Sequence, residues 1–526
     1  MLQEASIESK VVPQSSRPTS DKNIVIAAKG GAILFLGELF TYITGFLLSV
    51  IIARFLGAEQ FGLYRLSLTV TSIAAAACLM GLDGGLARFI PIAVKQRSEN
   101  RIWGLIQVGV GIPFLISLIL TSILILMAEP ISIEVFKKPS LIPVFRMLCF
   151  IIPLTVLADG LSSVTRGFKK VQYDVYSRSI AFQVTKLLLT ISLLSVGMDV
   201  LGVAISHNVA ITIATLMMLF FVNRIFSLKR PVKNAQRNIR EIFHFSLPLY
   251  FGRLLYQFSR QLEMLVLGIL AVFSDVGIYA AILRLSNIGI MGLNALQKIS
   301  EPLISELHSQ GKEDELRRLY QTTTKWSLTF NLPIFLTVLF FADNLLSIFG
   351  ENFTGGATGF IILSSGLLFR ASTGFCGTVV NMTGHTRLGL FNSIVYVAAA
   401  IILDFVLISR WQLIGAAMAG TLTMIIVNTL ATTEVFFLNG GLLPFNRSFL
   451  KPITAAFLSA GLIFILTQSF SVDSPLLQLA IFTPILWFVY GAIVYLLKLS
   501  KEDRLILSEL FSRIKKSENS EPTPKL

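Results

Sequence analysis

The sequence predicts an all-α polytopic membrane protein with about 14 transmembrane helices, arranged as two six-helix lobes and two C-terminal helices. Three observations support this class. Of the 526 residues, 54% are hydrophobic and only 14% are charged, whereas soluble domains carry about 25% charged residues. Apolar runs long enough to cross a bilayer recur along the chain, and Lys and Arg are distributed unevenly between them. Together these observations exclude a soluble or a disordered protein.

The apolar runs set the number of spans. A spanning helix needs about 20 apolar residues, and such runs are helices because lipid does not tolerate an unpaired strand backbone. We place 14 spans near residues 30–52, 67–91, 102–127, 143–164, 173–196, 201–222, 243–270, 277–302, 323–345, 357–381, 388–408, 413–437, 451–470 and 476–497.

The distribution of Lys and Arg predicts the orientation. With the N-terminus inside, the inside segments hold 30 of these residues and the outside loops hold 5. Cytoplasmic loops of membrane proteins carry such an excess. We therefore expect a multi-pass protein of the cytoplasmic membrane with both termini in the cytoplasm. The same bias accounts for the net charge of +14, and no basic patch with interleaved aromatic residues indicates nucleic-acid binding.

The spans and the polar segments between them predict six regions. No removable signal peptide is expected, and the three cysteines form no disulfide or zinc pattern. The regions are a disordered cytoplasmic tail at 1–28, an N-terminal six-helix lobe at 29–222, a basic cytoplasmic linker at 223–241, a C-terminal six-helix lobe at 242–438, two extra transmembrane helices at 439–497, and a cytoplasmic amphipathic or disordered tail at 498–526.

The two lobes resemble each other weakly but in the same order. Six spans per lobe is an even number, so both lobes have one orientation and form parallel repeats, an architecture used for alternating access. The matches, at offsets of 211 to 220 residues, are Gly62 with Gly277, Tyr64 with Tyr279, Pro91 with Pro302, Pro113 with Pro333, Gly167 with Gly384, and Gly202 with Gly415.

Several segments resemble a known family. ARFLGAEQFGLYRLSL (53–68), GLDGGLARFIP (81–91), LGILAVFSDVGIYAAILRL (267–285) and EPLISEL (301–307) are similar to segments of polysaccharide or O-antigen-unit flippases. These belong to the multidrug/oligosaccharidyl-lipid/polysaccharide exporter superfamily. The resemblance covers roughly residues 25–440. It implies two six-helix lobes with two extra helices, and movement of a lipid-linked oligosaccharide to the outer leaflet without covalent chemistry.

Nine Lys and Arg residues lie within predicted spans. Each costs about 2.5–3.5 kcal/mol at a helix centre, so intramembrane charges generally serve a function. Arginine binds phosphate through two hydrogen bonds and stays charged when desolvated. We therefore predict a cationic cavity for a polyprenyl phosphate or diphosphate. The alternative is that these residues pair with acids and hold helices together. The candidates are Arg253, Arg260, Arg284, Arg370 and, nearer the cytoplasm, Arg88.

Acidic residues within or beside the spans are candidates for ion coupling. A desolvated carboxylate can carry a proton or bind sodium, and structural pairing is the alternative. At Glu263 the family resemblance leads us to expect Asp more often, which leaves its coupling role open. No cofactor is expected, and coupling to an H⁺ or Na⁺ gradient is left open. The candidates are Glu38, Asp83, Asp159, Glu263 and Glu301.

The sequence thus favours a flippase that moves a lipid-linked oligosaccharide by alternating access. Its expected partners are this substrate and membrane lipids, with other glycan-assembly proteins left open. A multidrug or cation antiporter of the same superfamily is one alternative, although deep arginines would repel cations. A membrane glycan polymerase or glycosyltransferase is another. No catalytic function is expected, because the predicted outside loops are short and contain no paired carboxylate motif. The absence of Walker A, GxSxG and HExxH motifs gives no support for ATP hydrolysis or the common hydrolase reactions.

Overall fold

The computed structural model describes residues 18–227, 235–237, 239–470 and 472–497, and this part of the chain is all-helical. The predicted tail at 498–526 lies outside the described residues, as do 1–17 of the predicted tail at 1–28 and residues 228–234 and 238 of the linker. The first half of the chain comprises α1 Pro18–Leu79, α2 Leu82–Lys95, α3 Glu99–Ile106, α4 Ile112–Leu126, α5 Ala128–Pro130, α6 Leu141–Cys149, α7 Ile151–Gly167, α8 Gln172–Asp174, α9 Phe182–Ser195 and α10 Val200–Ile225.

Short π-helical segments, Gln107–Gly111, Ile131–Val135 and Val175–Ala181, continue the helices of this half. In the second half, 3₁₀ turns lie at Glu351–Gly356 and Arg447–Phe449. The second half comprises α11 Ile239–Leu270, α12 Phe273–Ser309, α13 Glu313–Ser347, α14 Ala357–Thr373, α15 Cys376–Met382, α16 Thr386–Leu438, α17 Leu450–Ser469 and α18 Pro475–Leu496.

Two of the helices are much longer than a bilayer is thick. α1 bends at Gly57, where φ is 75° and ψ is 177°, and α16 bends at Gln412, where φ is 46°. Glycine adopts a positive φ at little cost, which explains the bend of α1. Each bent helix therefore consists of two arms, 18–56 and 58–79 in α1, and 386–411 and 413–438 in α16.

Within the described residues, nine helical runs are long and apolar enough to cross a membrane. Two of them, Ile33–Leu79 and Thr386–Leu438, contain the bends, and at 1.5 Å per residue each exceeds about twice the 30 Å hydrocarbon core. The protein is therefore a multi-pass membrane protein. The count of 14 spans and the arrangement in two six-helix lobes remain predictions.

The C-terminal helices α17 and α18 pack on α13 of the second half. The rings of Phe341 and Phe482 stack with their centroids 6.1 Å apart. Trp487 Nε1 donates a hydrogen bond to Thr337 Oγ1 at 3.1 Å. Leu486 and Ile463 are fully buried in the same apolar cluster, so these two helices are fixed to the second half of the chain.

The two halves meet most closely where α1 packs on α12. A Cβ on Gly62 would overlap the carbonyl oxygen of Phe273, and a Cβ on Gly277 would overlap that of Ala58. These two glycines are the pair that the sequence repeat aligns. This part of the molecule also contains the bend of α1 and the segments 127–140 and 348–356. We call it the Gly57 end.

At the opposite end, which we call the Gly81 end, α11 reaches across to the first half and packs on α2. A Cβ on Gly85 would lie 2.6 Å from Ser246 Oγ, and Tyr250 Oη donates to the Ala77 carbonyl oxygen at 3.0 Å. Ile242 is buried in the apolar cluster formed by α2, α3, α7 and α10. The beginning of α11 therefore completes the core of the first half.

Candidate functional site

A cavity of about 200 Å³ lies where α1, α9 and α12 meet. Three cationic side chains line it: Arg65 from the second arm of α1, Lys186 from α9, and Arg284 from α12. Among the described residues that line the cavity, none is acidic. We call it the cationic cavity. Its charges come from both halves of the chain.

Arg284 is the contribution of the second half. Its Nη2 donates to the Tyr42 carbonyl oxygen at 3.3 Å, and a Cβ on Gly45 would overlap the same nitrogen. Glycine at position 45 therefore leaves the space in which the guanidinium group crosses to the first half. A larger residue at this position would displace Arg284.

The cations of the first half are held by aromatic groups and by burial. Lys186 is buried, and its Nζ lies 5.4 Å from the ring centroid of Phe182 and 5.7 Å from that of Tyr64. Tyr64 Oη and His207 Nδ1 are hydrogen-bonded at 2.9 Å. Arg65 Nε is buried, and within the described chain it has no hydrogen-bond partner. A buried cation is costly without a counter-charge, so this cavity is suited to an anion with several oxygen atoms.

A second polar cluster, in the second half, contains two carboxyl groups. Tyr279 Oη donates to Glu263 Oε2, and a Cβ on Gly420 would lie 2.8 Å from Glu263 Oε1. Asp404 is fully buried, and neither of its carboxylate oxygens has a hydrogen-bond partner among the described residues. It interacts electrostatically with Glu263. We call Glu263, Tyr279 and Asp404 the acidic site, which is suited to a proton or a cation.

Each of the two clusters contains one tyrosine of a pair that the sequence repeat aligns. Tyr64 and Tyr279 are aligned by the repeat. Tyr64, which lines the cationic cavity, is hydrogen-bonded to His207, and Tyr279 donates to Glu263 of the acidic site. The aligned tyrosines therefore each hold one polar side chain, an imidazole in the first half and a carboxyl group in the second.

Of the predicted cations, Arg284 lines the cationic cavity, and the other described ones do not. Arg88 is exposed, with its guanidinium carbon 4.2 Å from the Phe245 ring centroid. Arg260 is exposed on α11, and Arg370 is half-buried in the last turn of α14. The side chain of Arg253 lies outside the described part of the structure.

The predicted acids lie in different surroundings. Glu38 is exposed on α1, and Asp83 is half-buried in the first turn of α2. Asp159 forms an ion pair with Arg178. Glu301 accepts a hydrogen bond from Gln297 Nε2 at 3.3 Å. Among these five candidates, Glu263 belongs to the acidic site, and the coupling roles of all five remain predictions.

Two cavity residues, Arg65 and Lys186, are missing from the predicted site. Arg65 lies two residues before the predicted start of span two, so the charge count assigns it to an outside loop. Lys186 is among the nine intramembrane cations but has no neighbouring arginine in the sequence. Arg65 could have been found from its neighbour Tyr64, which belongs both to the family-like stretch and to the repeat.

The apolar helices define the class as a multi-pass, all-helical membrane protein, and polar clusters lie between its helices. The chain has the fold of the lipid II flippase MurJ in its inward closed conformation, with a TM-score of 0.65, 14% identity, and 91% of this chain and 98% of that chain covered. An inward-facing multidrug resistance MATE family transporter of the MOP superfamily gives a TM-score of 0.65 at 13% identity, covering 76% of this chain and 95% of that one.

The family follows from the sequence comparison. Residues 27–308, more than half of the chain, match the family model described as polysaccharide biosynthesis protein, and residues 248–406 match the MatE model. The chain belongs to the polysaccharide biosynthesis protein family, as the resemblance in the sequence predicts.

Two curated relatives are each 24% identical to this chain. The capsular polysaccharide biosynthesis protein CapF of Staphylococcus aureus aligns over 284 residues, covering 52% of this chain and 72% of CapF. The probable low-salt glycan biosynthesis flippase Agl15 of Haloferax volcanii aligns over 409 residues, covering 76% of this chain and 82% of Agl15.

Proposed function

We propose that the protein is a flippase that moves a lipid-linked oligosaccharide, carried on a polyprenyl phosphate or diphosphate, across the cytoplasmic membrane. The observation that carries this proposal is the cationic cavity, in which Arg65, Lys186 and Arg284 face one space without an acid among the described lining residues. Membership of the polysaccharide biosynthesis protein family supports it.

In this mechanism the cavity holds the anionic part of the lipid carrier. The two guanidinium groups donate paired hydrogen bonds to phosphate oxygens, and the Lys186 ammonium adds a point charge. Because Arg284 belongs to the second half and the other two cations to the first, a bound phosphate would bridge the halves. Alternating exposure of the cavity to the two sides then moves the headgroup without covalent chemistry.

The other predicted arginines are proposed to guide the headgroup on its way to this cavity. Arg88 lies on α2 and Arg260 on α11, two helices that pack together towards the Gly81 end. Arg253 lies two helical turns before Arg260 on the same helix, and Arg370 lies in the last turn of α14. A series of weak phosphate contacts would let the substrate move without being trapped.

The direct test is transport by the purified protein in sealed vesicles. A polyprenyl-diphosphate oligosaccharide is placed in the inner leaflet, and its appearance in the outer leaflet is measured by an impermeant sugar-modifying reagent. We expect protein-dependent transfer without ATP. Transfer of an organic cation but not of the glycan lipid would favour the multidrug antiporter instead.

Topology provides an independent prediction. We propose 14 spans with both termini in the cytoplasm, which places the Gly57 end outside. In sealed cells an impermeant thiol reagent should therefore label Lys137→Cys and Asn352→Cys but not Lys312→Cys. All three positions are exposed in the structure, so a difference in labelling reports sidedness rather than burial. Labelling of Lys312→Cys in intact cells would refute this orientation.

The acidic site is proposed to couple transport to an H⁺ or Na⁺ gradient. Glu263→Gln keeps the shape of the side chain but removes its charge, so we expect the gradient-dependent part of the flipping rate to fall about 5- to 150-fold, the usual range of coupling between sites. Glu306→Gln, an exposed position on α12, is the matched control. If Glu263→Gln retains the parental response to both gradients, the coupling group lies elsewhere.

A further inference from the structure

Lys138 of the first half caps a helix of the second half at the Gly57 end. It lies in the connection before α6, and its Nζ donates to the carbonyl oxygens of Gly268, at 3.1 Å, and Ala271. These carbonyls end α11, where the last four have no partner within the helix. The same Nζ lies 4.3 Å from the ring centroid of Phe273. One cation thus connects α6 to the junction of α11 and α12.

Arg54 makes an equivalent contact with another helix of the second half. It lies on α1 just before the Gly57 bend. Its Nε donates to the Ile348 carbonyl oxygen at 2.7 Å, and its Nη2 to that of Ser347 at 3.4 Å, at the end of α13. A cation at a helix C-terminus is favoured by the helix dipole as well as by the hydrogen bonds.

Aromatic contacts between the halves lie next to these caps. Phe61 and Phe353 have ring centroids 6.2 Å apart, and Phe46 and Phe349 have theirs 5.9 Å apart. Phe349 and Phe353 are fully buried. Phe61 also lines the cationic cavity, so these aromatic contacts connect the wall of the cavity to the Gly57 end.

We infer that Lys138 and Arg54 form a two-point latch that holds the Gly57 end closed and releases when the cationic cavity opens on that side. Both cations belong to the first half, and all their acceptors belong to the second, so the halves cannot separate here without breaking both contacts. The inference rests on the proposed alternating-access function, but it concerns opening of the gate rather than transfer of the substrate.

The surroundings of Lys138 make the latch reversible. Burial lowers the pKa of Lys138 to about 8, and the nearby Asp275 carboxylate opposes this shift. The ammonium group is therefore partly removed from water in the closed state. Release of the latch returns it to water, and this gain offsets part of the loss of the two hydrogen bonds.

The test measures access to the cavity from outside. Ser49 lines the cavity, and Ser49→Cys serves as the reporter for an impermeant maleimide added to sealed cells. The native Cys78, Cys149 and Cys376 are buried, and the protein without the reporter sets the background. We expect Lys138→Met to raise the labelling rate about tenfold, equivalent to about 1.4 kcal/mol, and Lys138→Arg to restore a slow rate.

Lys137→Met is the matched control, because Lys137 is the adjacent exposed lysine in the same connection. Arg54→Gln tests the second contact, and it remains informative if Lys138→Met fails to reach the membrane. Unchanged labelling in Arg54→Gln and in every folded Lys138 variant would overturn the latch. Faster labelling of the latch variants, together with no glycan-lipid transfer by the parental protein, would support the latch and refute the flippase proposal, so the two are distinguishable.

Discussion

The double replacement Arg65→Gln and Arg284→Gln should abolish flipping of the glycan lipid. The two guanidinium groups line the cationic cavity from different halves of the chain, and each hydrogen bond to a charged group contributes about 1.5–3 kcal/mol. Loss of both predicts a fall of about two to four orders of magnitude in the transfer rate at low substrate concentration. The vesicle assay measures this rate directly.

Graded variants separate charge from geometry. Arg65→Lys and Arg284→Lys keep the charge but lose the paired hydrogen bonds, so each should lower the rate less than glutamine does. Lys95→Gln and Arg387→Gln, at exposed positions, are the controls and should retain the parental rate. A parental rate in the double glutamine variant would show that these cations are structural. The fourfold alanine variant at Arg253, Arg260, Arg284 and Arg370 tests the predicted set in the same way.

The second large effect is expected at the glycine contact between α1 and α12. Gly62→Ala and Gly277→Ala would each place a Cβ against a backbone oxygen of the partner helix. Backbone atoms cannot rotate away as a side chain can, so the helices must separate. We expect loss of transport, and a stability loss of about 1–3 kcal/mol, as is typical of overpacking. Thermal unfolding in detergent and the vesicle assay measure the two effects.

Glycines without close neighbours provide the comparison. No atom lies within 4 Å of a Cβ added at Gly111 or Gly252, and both lie in helical segments. Alanine at these positions should be neutral or slightly stabilising, because it restricts the unfolded chain. If Gly62→Ala and Gly277→Ala behave like Gly111→Ala in both measurements, close approach of α1 and α12 is not required for transport.

The sequence predicts those features of the fold that depend on composition or on a short local pattern of residues. Apolar runs predict helices in a membrane, and the family-like stretch at 53–68 contains the bend at Gly57 and the contact residue Gly62. The repeat aligns Gly62 with Gly277, but the alignment does not predict that the two glycines lie at one helix contact. That contact depends on how the two halves pack against each other. A sequence match between two separate segments carries no information about this packing.

The candidate site was harder to predict because it depends on helix rotation. Arg253 and Arg260 lie two turns apart on one helix face, yet sequence spacing does not say which face meets the cavity. The position of Arg65 was missed for another reason. α1 continues as helix from residue 58 through 79, whereas hydropathy begins the second span at 67 and leaves Arg65 in a loop. The fully buried Asp404 had no distinguishing neighbour in the sequence.

The position of Ile242 in the core of the first half has a consequence for biosynthesis. Chains generally fold from the N-terminus as they are made, and the first six predicted spans end before α11 begins. The cluster around Leu82, Leu86 and Val222 is completed by Ile242, which follows the basic linker. The first half therefore reaches its final packing only after the ribosome has synthesised the beginning of the second, and a chain severed within the linker would leave that half incomplete in the membrane.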